Sequence, residues 1–305
     1  MKITLSLSEA AKTQFDPNAK GQGMGYMGSR FLAEAFVKRG HDLNIVHPND
    51  ICYDKLGRLY TRSAYEFVKG RFYKKRTDAI LSGDVFFVYS LDEEQGASAS
   101  KRFIDVLFQM EKQFPLVLNS AESTSYEYKP KQKTLELPWI PGFDIKSPKE
   151  LSDLVASGER IIAKPRIGAC GMGVEFLEHL DDLQRIGDID EYLFERYVQA
   201  NEERRYIFLD NQCIIRRKMS KKGLPGRERC TNVDLMEGIP REIEIARRVI
   251  AETGMFYGAV DFRGEYVLEI NGSGTGVAPP TARNETDSYN LSDSIVQAVE
   301  RKISS

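Results

Sequence analysis

The chain begins with apolar residues at alternate positions, "KITLSL" from Lys2 to Leu7, the two-residue period of a half-buried strand. From Gly28 the period changes. In "GSRFLAEAFVKRG" apolar residues recur three and four apart, and Lys38, Arg39 and Gly40 supply the basic last turn and the glycine that close a helix. "DLNIVHP" predicts the next strand and "GRLYTR" another. "DVFFVYS" at 84–90 is the continuous apolar run of a strand buried on both faces. "SASKRFIDVLFQMEKQF" predicts a serine-capped helix with Phe103, Val106, Leu107 and Met110 on one face, and "PLVLN" follows as a short strand. Strands alternating with helices imply an open, mostly parallel α/β sheet up to residue 118.

The pattern then breaks. "SAESTSYEYKPKQKTLELPWIPGF" is polar and punctuated by proline, and reads as a linker or short helix into a second domain. From 160 to 218 strands dominate: "RIIAKP", "GVEFLE", "EYLFERYV", "RRYIFLD" and "QCIIRRK". Two helical segments, "IPREIEIARRVIAETG" and "LSDSIVQAVERK", enclose the strands "MFYGAVDF" and "EYVLEIN". The expected divisions are 1–118, 119–190 and 191–305.

Composition narrows the functional classes. The 305 residues suffice for a sizeable core, and 41% hydrophobic with 29% charged residues is ordinary for a soluble globular protein. A net charge of −2 gives no global field toward nucleic acid or membrane, and neither is expected as a partner. The basic run "KGRFYKKR" at 69–76 reads as a solvated loop. Cys52, Cys170, Cys213 and Cys230 are scattered without C-x-x-C spacing, which argues against zinc sites and disulfides and for a cytoplasmic location. The N-terminus lacks the apolar run of a signal peptide, and no window is apolar enough for a membrane span. His41, His47 and His179 are dispersed, and no nucleophilic triad pattern occurs.

"GQGMGYMGSR" at 21–30 spells Gly-x-Gly-x-x-Gly from Gly23 to Gly28, the letters of a dinucleotide loop. That loop must follow a strand directly, whereas "SEAAKTQFDPNAK" intervenes here. A dinucleotide is therefore not expected there; a helix follows, and its N-terminal amides leave the motif as a candidate loop for a carboxylate or phosphate. A second cluster suits a nucleotide better. In "IIAKPRIGACGMGV", Gly168, Gly171 and Gly173 allow positive φ and close backbone approach to an anion, and Lys164 donates to the same phosphates. It is not a Walker A loop, which needs Gly-Lys-Ser/Thr before a helix.

"AVDFRGEYVLEINGSGTG" carries the metal chemistry. Glu269 and Asn271 are two apart on an extended chain and share a face, and Asp261 comes beside them across a turn at Gly264. Two carboxylates and an amide oxygen suit a hard cation such as Mg²⁺ carrying phosphates. Gly274 and Thr275 in the following "GSGTG" offer backbone amides to a phosphate or carboxylate. Between these motifs, "FERYVQANEERRYIFLD" places Glu195 on a strand ending near Val198, then Glu203 and Arg205 on the next, and "IIRRK" adds Arg216, Arg217 and Lys218.

In this order the residues resemble the ATP-grasp ligases, the bacterial glutathione synthetase branch foremost and the ribosomal-protein glutamate ligases next. The likeness spans 119–305, with a looser fit of the α/β start. It implies an α/β N-terminal domain followed by a two-lobed α+β ATP-grasp fold. It also implies Lys164 as the second ATP lysine, "GACGMGV" as a lid, and a hinge at Glu195, Arg196, Tyr197 and Val198 whose backbone meets adenine. Glu203 would bind ribose, and Arg205, Asn232, Gly274 and Thr275 the substrate. Arg205 with Arg217 or Lys218 would serve the reacting groups, and Asp261, Glu269 and Asn271 would hold two Mg²⁺, with Mn²⁺ as an alternative. The first ATP lysine lies among Lys129, Lys131 and Lys133, with Lys131 chosen. After Asn271, "GSGTGVAPP" departs from the Ser-Pro-Thr segment of glutathione synthetases. The implied activity is ATP-dependent joining of a carboxylate to an amine, on an amino acid or small peptide, through an acyl phosphate, by a homo-oligomer. A carboxylate kinase without an amine acceptor and a dinucleotide oxidoreductase using Gly23–Gly28 are the competing readings.

Overall fold

The computed structural model describes residues 1–6, 24–68, 71–89, 96–166, 171, 173–222, 229–272 and 285–304. β1 (Lys2–Ser6) lies between β2 (Asp42–Val46) and β6 (Val85–Val88), parallel to both, and β7 (Leu116–Leu118) continues the row beside β6. α1 (Met24–Lys38) and α2 (Gly96–Gln113) cover opposite faces of this sheet. That is why all four residues of β6 are buried: Val85 and Phe87 meet the core of α1, Phe86 and Val88 that of α2. Phe103, Val106, Leu107 and Met110 all face inward from α2. Gly25 and Gly28 of the opening glycine motif lie within α1, so the helix begins inside the motif; Gly23 and the residues before it fall outside the described chain.

β3 (Ile51–Tyr53), β4 (Leu59–Val68) and β5 (Arg71–Ile80) add an antiparallel wing. The basic run expected as a loop is thus largely strand. β5 pairs with β4 from Val68↔Arg71 to Tyr60↔Ile80, and at the edge of a sheet charged residues are compatible with strand pairing.

The segment expected as a linker is built into the structure. α3 (Ala121–Thr124) and α4 (Lys129–Gln132) are short, and their polar side chains bond inward. Buried Gln132 donates to the carbonyls of Tyr126 and Ile270 at 2.7 and 2.8 Å and accepts from the amide of Ile270 at 3.0 Å. A second, antiparallel sheet follows, ordered β10-β9-β11-β8, from β8 (Gly142–Phe143), β9 (Ile161–Pro165), β10 (Glu175–Leu177) and β11 (Tyr192–Arg196). α5 (Pro148–Ala156), a helix the apolar pattern did not single out, is capped by Ser147 and packs Leu151 and Val155 on Ile161, Ala163 and Phe194. Since β11 pairs with β9 along its whole length, this sheet runs past residue 190.

The third sheet is antiparallel, ordered β14-β13-β12-β15-β16: β12 (Glu202–Leu209), β13 (Gln212–Lys222), β14 (Arg229–Leu235), β15 (Tyr257–Arg263) and β16 (Tyr266–Asn271). α6 (Pro240–Thr253) packs on one face, with Ala246, Val249 and Ile250 against Tyr206, Phe208, Val260 and Phe262. Buried Glu242 of α6 accepts from Arg204 at 2.6 Å and from the Tyr206 hydroxyl at 2.7 Å. On the other face, Ile207, Leu209 and Ala259 meet Leu291, Ile295 and Val299 of α7 (Glu285–Ser304) and Phe31, Leu32 and Phe36 of α1. One core therefore joins the first and third sheets. No described helix is long and apolar enough to cross a membrane.

Asn119 closes this junction. Its backbone is left-handed, with φ +54°, a conformation asparagine tolerates. Its side-chain amide donates to the carbonyls of Val88, Tyr257 and Gly272 at 3.2, 3.1 and 2.9 Å, and its oxygen accepts from the amides of Phe256 and Tyr257 at 2.9 and 3.2 Å. Asn119→Ala should strand several of these buried groups at about 1–3 kcal/mol each. The expected result is a clearly lower thermal and urea midpoint, and an unchanged midpoint would refute the keystone role.

Candidate functional site

The site begins with a register. Arg217 of β13, Arg205 of β12, Asp261 of β15 and Glu269 of β16 stand opposite one another in a single row across four strands. Adjacent strands are about 4.8 Å apart, so two cations and two carboxylates line up along one face. A bulge makes the last position possible. The β16 partner jumps from Glu269, opposite Asp261, to Val267, opposite Phe262, leaving Leu268 as the extra residue. Val267 thus enters the core under α6 while Glu269 keeps the site face. Without the bulge, residues 267 and 269 would share a side.

Arg205 forks onto Asp261, with Nε–Oδ1 2.7 Å and Nη2–Oδ2 2.6 Å. Burial opposes the charge on Arg205, but Asp261 more than compensates and holds the guanidinium protonated. Asp261 is 1% exposed, so this pairing offsets its desolvation. Asn271 donates to Asp261 at 3.2 Å and to Glu269 at 3.5 Å, which gathers the three expected metal ligands. Among the described residues no three His, Cys, Asp or Glu side chains converge. Asp261 and Glu269 are oxygen donors that fit a hard divalent cation; the Asn271 amide turns its nitrogen toward them here and would add its oxygen on rotating.

Strand alternation separates the two candidates on β13. Arg217 lies on the row, 1% exposed, with Nη2 3.9 Å from Asp287 of α7. Lys218 lies on the opposite face, 3.7 Å from Glu202, and half-exposed.

The second sheet carries a buried triad of charges. Glu195 of β11 is 2% exposed and binds Lys164 of β9 at 2.5 Å and Lys133 closer still. The Lys133 ammonium also sits over the Trp139 ring, 4.3 Å from its centroid. Burial alone would push the Glu195 carboxyl up. The charges of Lys164 and Lys133 more than reverse this and hold it below the ordinary carboxylate value. Burial pulls the Lys133 ammonium down, against Glu195 and, more weakly, Glu269. The segment carrying Lys133 packs on β16 through Gln132 and Ile270, and Lys133 feels the charge of Glu269. Lys131 instead pairs with exposed Glu122 at 2.6 Å, beside the Tyr126 ring.

The hinge shows partners that spacing did not anticipate. The Arg196 amide donates to the Pro141 carbonyl and the Tyr197 amide to the Arg160 carbonyl, both at 2.8 Å, so neither is free for adenine. The guanidiniums of Arg160 and Arg263 both lie against the Tyr197 ring, 5.2 and 5.5 Å from its centroid. Buried Arg263 bonds the Val198 carbonyl at 2.9 Å and Glu203 at 3.3 Å, tying the hinge to β12. Its place two residues after Asp261, hence on the same face, is the signal that could have identified it.

Gly171 and Gly173 take φ +71° and +70°, and a Cβ on Gly173 would stand 2.9 Å from the Pro165 ring. Both positions thus require glycine. Asn232 lies on β14 opposite Ser220. Gly168, Gly274 and Thr275 fall outside the described residues.

No protein-family profile matches the sequence, and no curated protein matches it. Solved structures do. D-alanyl-alanine synthetase A from Vibrio cholerae superposes with TM-score 0.64 at 13% identity, covering 100% of this chain and 99% of its own. The macrocyclase MdnC bound with precursor peptide MdnA, from Microcystis aeruginosa, gives 0.62 at 11%, covering 97% and 100%. The ATP-grasp ligase PsnB complexed with minimal precursor, Mg and ADP gives 0.58 at 16%, covering 98% of each. The chain has the ATP-grasp fold.

Glu195 supplies the prediction of this geometry. Its folded-state value is depressed, so its stabilisation is complete above the unfolded value of about 4.3 and is lost as pH falls through the folded value. Glu195→Gln should cost about 3–5 kcal/mol at neutral pH by leaving two ammonium groups without a buried counter-charge. It should also flatten the loss of stability between about pH 5 and pH 3. Urea titrations at several pH values measure both, and a variant with wild-type midpoint and slope would refute the clamp.

Proposed function

We propose that the protein is an ATP-dependent carboxylate–amine ligase acting on an amino acid or small peptide. The observation that carries this reading is the presence of two buried charge sets on adjoining sheets, the Lys133–Glu195–Lys164 triad and the Arg217–Arg205–Asp261–Glu269 row, within electrostatic range of each other at Lys133 and Glu269. Phosphoryl transfer asks mainly for positioning and for charge neutralisation, and these two sets provide both. Lys133 takes the place expected of Lys131 as the first ATP lysine, with Lys164 as the second. Glu195 holds both ammonium groups toward the phosphates. Val198 offers its amide to adenine, since those of Arg196 and Tyr197 are occupied. Glu203 accepts from ribose, and the Gly171–Gly173 turn covers the phosphates.

Asp261, Glu269 and Asn271 would hold Mg²⁺, which when bound neutralises phosphate charge during transfer. Arg205 orients Asp261 toward that task. Arg217 receives the acid at the opposite end of the row. The carboxylate oxygen attacks the γ-phosphorus, ADP leaves, and the acyl phosphate loses phosphate to an attacking amine, which gives up a proton as the amide forms. The related folds include a D-alanyl-alanine synthetase and ligases bound to precursor peptides, which supports amino acids and peptides as the classes to screen. The glutathione-synthetase resemblance supports the same pair of classes.

A screen of amino acids and dipeptides for amine-dependent phosphate release from MgATP tests the reading. Release of ADP that requires an acid but no amine would favour the carboxylate kinase instead. Lys164→Ala and Glu269→Ala should each reduce ADP formation by at least about a thousandfold while circular dichroism shows a folded chain. Normal turnover in either variant would remove that residue from the site.

A further inference from the structure

Glu203 of β12 stands directly opposite Arg263 of β15, two residues along from the Arg205–Asp261 pair and on the same face. The four charges alternate in sign both along the strands and across them. Arg263 and Glu203 are both buried, and the guanidinium donates to the carboxylate at 3.3 Å. Two further bonds leave the sheet: Nε donates to the Val198 carbonyl at 2.9 Å and Nη2 to the Ala200 carbonyl at 3.4 Å. Residues 197–201 join β11 of the second sheet to β12 of the third without strand pairing. The Tyr197 ring, 5.5 Å from the Arg263 guanidinium, meets Phe176 of β10 edge-on at 5.0 Å. Just beyond Arg263 the chain turns at Gly264 with φ +61°, where a Cβ would stand 3.3 Å from Val198, so the turn packs against the same loop.

A tie between two strands does not need a buried charge, because an apolar pair of similar volume is often as stabilising. What an apolar pair cannot do is bond oxygens. The planar fork of an arginine reaches several acceptors in fixed directions, whereas a lysine offers one point charge. One side chain therefore sets two carbonyls of the hinge loop and the Glu203 carboxylate together. A carboxylate has about four acceptor sites, so a single bond from Arg263 orients Glu203 without exhausting its capacity for hydroxyl donors. The same arginine lies two residues from Asp261, so the hinge and the carboxylate row are placed from one strand.

We propose that Arg263 is the positioning residue for the nucleoside: it holds the hinge loop and the Glu203 carboxylate in one orientation, so that adenine and ribose are recognised as a unit. Arg263 acts through the hinge and Glu203 and itself contacts neither base nor sugar. The proposal rests on the reading of the hinge and Glu203 as nucleotide-binding, but it needs no turnover and no knowledge of the acid or the amine.

Calorimetric titration of the full chain with MgADP and with the magnesium complex of 2′,3′-dideoxyADP provides the measurement. The wild-type chain should prefer MgADP by about tenfold or more, the worth of a ribose bond to a charged acceptor. In Arg263→Met, MgADP should bind at least about tenfold more weakly, and the preference over the dideoxy nucleotide should fall below about twofold. The thermal midpoint should fall as well, since a buried ion pair is broken. The preference is the deciding quantity, because a merely structural tie would leave it at its wild-type value. Where circular dichroism shows that Arg263→Met does not fold, Arg263→Gln takes its place, with the same fall in preference expected. A folded variant that keeps the wild-type preference would overturn the proposal. Equal binding of the two nucleotides by the wild-type chain would overturn it too, since Glu203 would then not read the ribose. A wild-type chain that binds neither nucleotide would instead remove the nucleotide reading itself, and the proposal with it.

Discussion

A buried carboxylate needs a counter-charge, and Glu195 has two. Lys164 comes from the neighbouring strand of the same sheet, whereas Lys133 comes from the segment that packs on the third sheet. One side chain therefore links the second sheet to the segment packed on the third and gathers two ammonium groups around itself. Ionisation of Glu195 is favoured by two lysines from different elements, so the interaction is a property of the assembled fold and not of any one element. The Tyr197 ring makes a second such link, meeting Arg160 beside the second sheet and Arg263 from the third.

The first and third sheets are joined differently, by burial and by hydrogen bonds. α7 and α1 share a core with Ile207, Leu209 and Ala259, and Asn119 satisfies backbone groups from both sheets at once. Apolar contact supplies the bulk of such a junction, while the asparagine fixes its registration, because five directional bonds cannot slip together.

The row depends on alternation that is interrupted once. On β12 and β15 the two-residue period sends Arg205 and Asp261 to the cleft and Tyr206, Val260 and Phe262 to the core beneath α6. On β16 the bulge at Leu268 restores the parity that Val267 would otherwise break. The same alternation directs Arg217 inward and Lys218 outward, and puts Tyr257 and Arg263 on the same face of β15 as Asp261.

Much of this was legible in the sequence. Period-two and helical patterns mark β1, β2, β6, α1, α2, α6 and α7, because each buries a face whose spacing is local. The order lysine, glycine turn, glutamate, glutamate-x-arginine, aspartate, glutamate-x-asparagine identified the residues that the cleft assembles, since such motifs are short. Spacing alone did not decide which of Lys129, Lys131 and Lys133 turns toward Glu195, or that 119–140 is part of the packed structure and not a linker. Nor did it assign strand pairing to the basic run of β5, or give Asn119 and Arg263 their roles. Each of those depends on a partner more than thirty residues away or on another element's face. The sequence fixes what a residue can do within a few positions of itself. Burial, counter-charge and cross-strand register are relations between distant segments, and only the folded chain sets them.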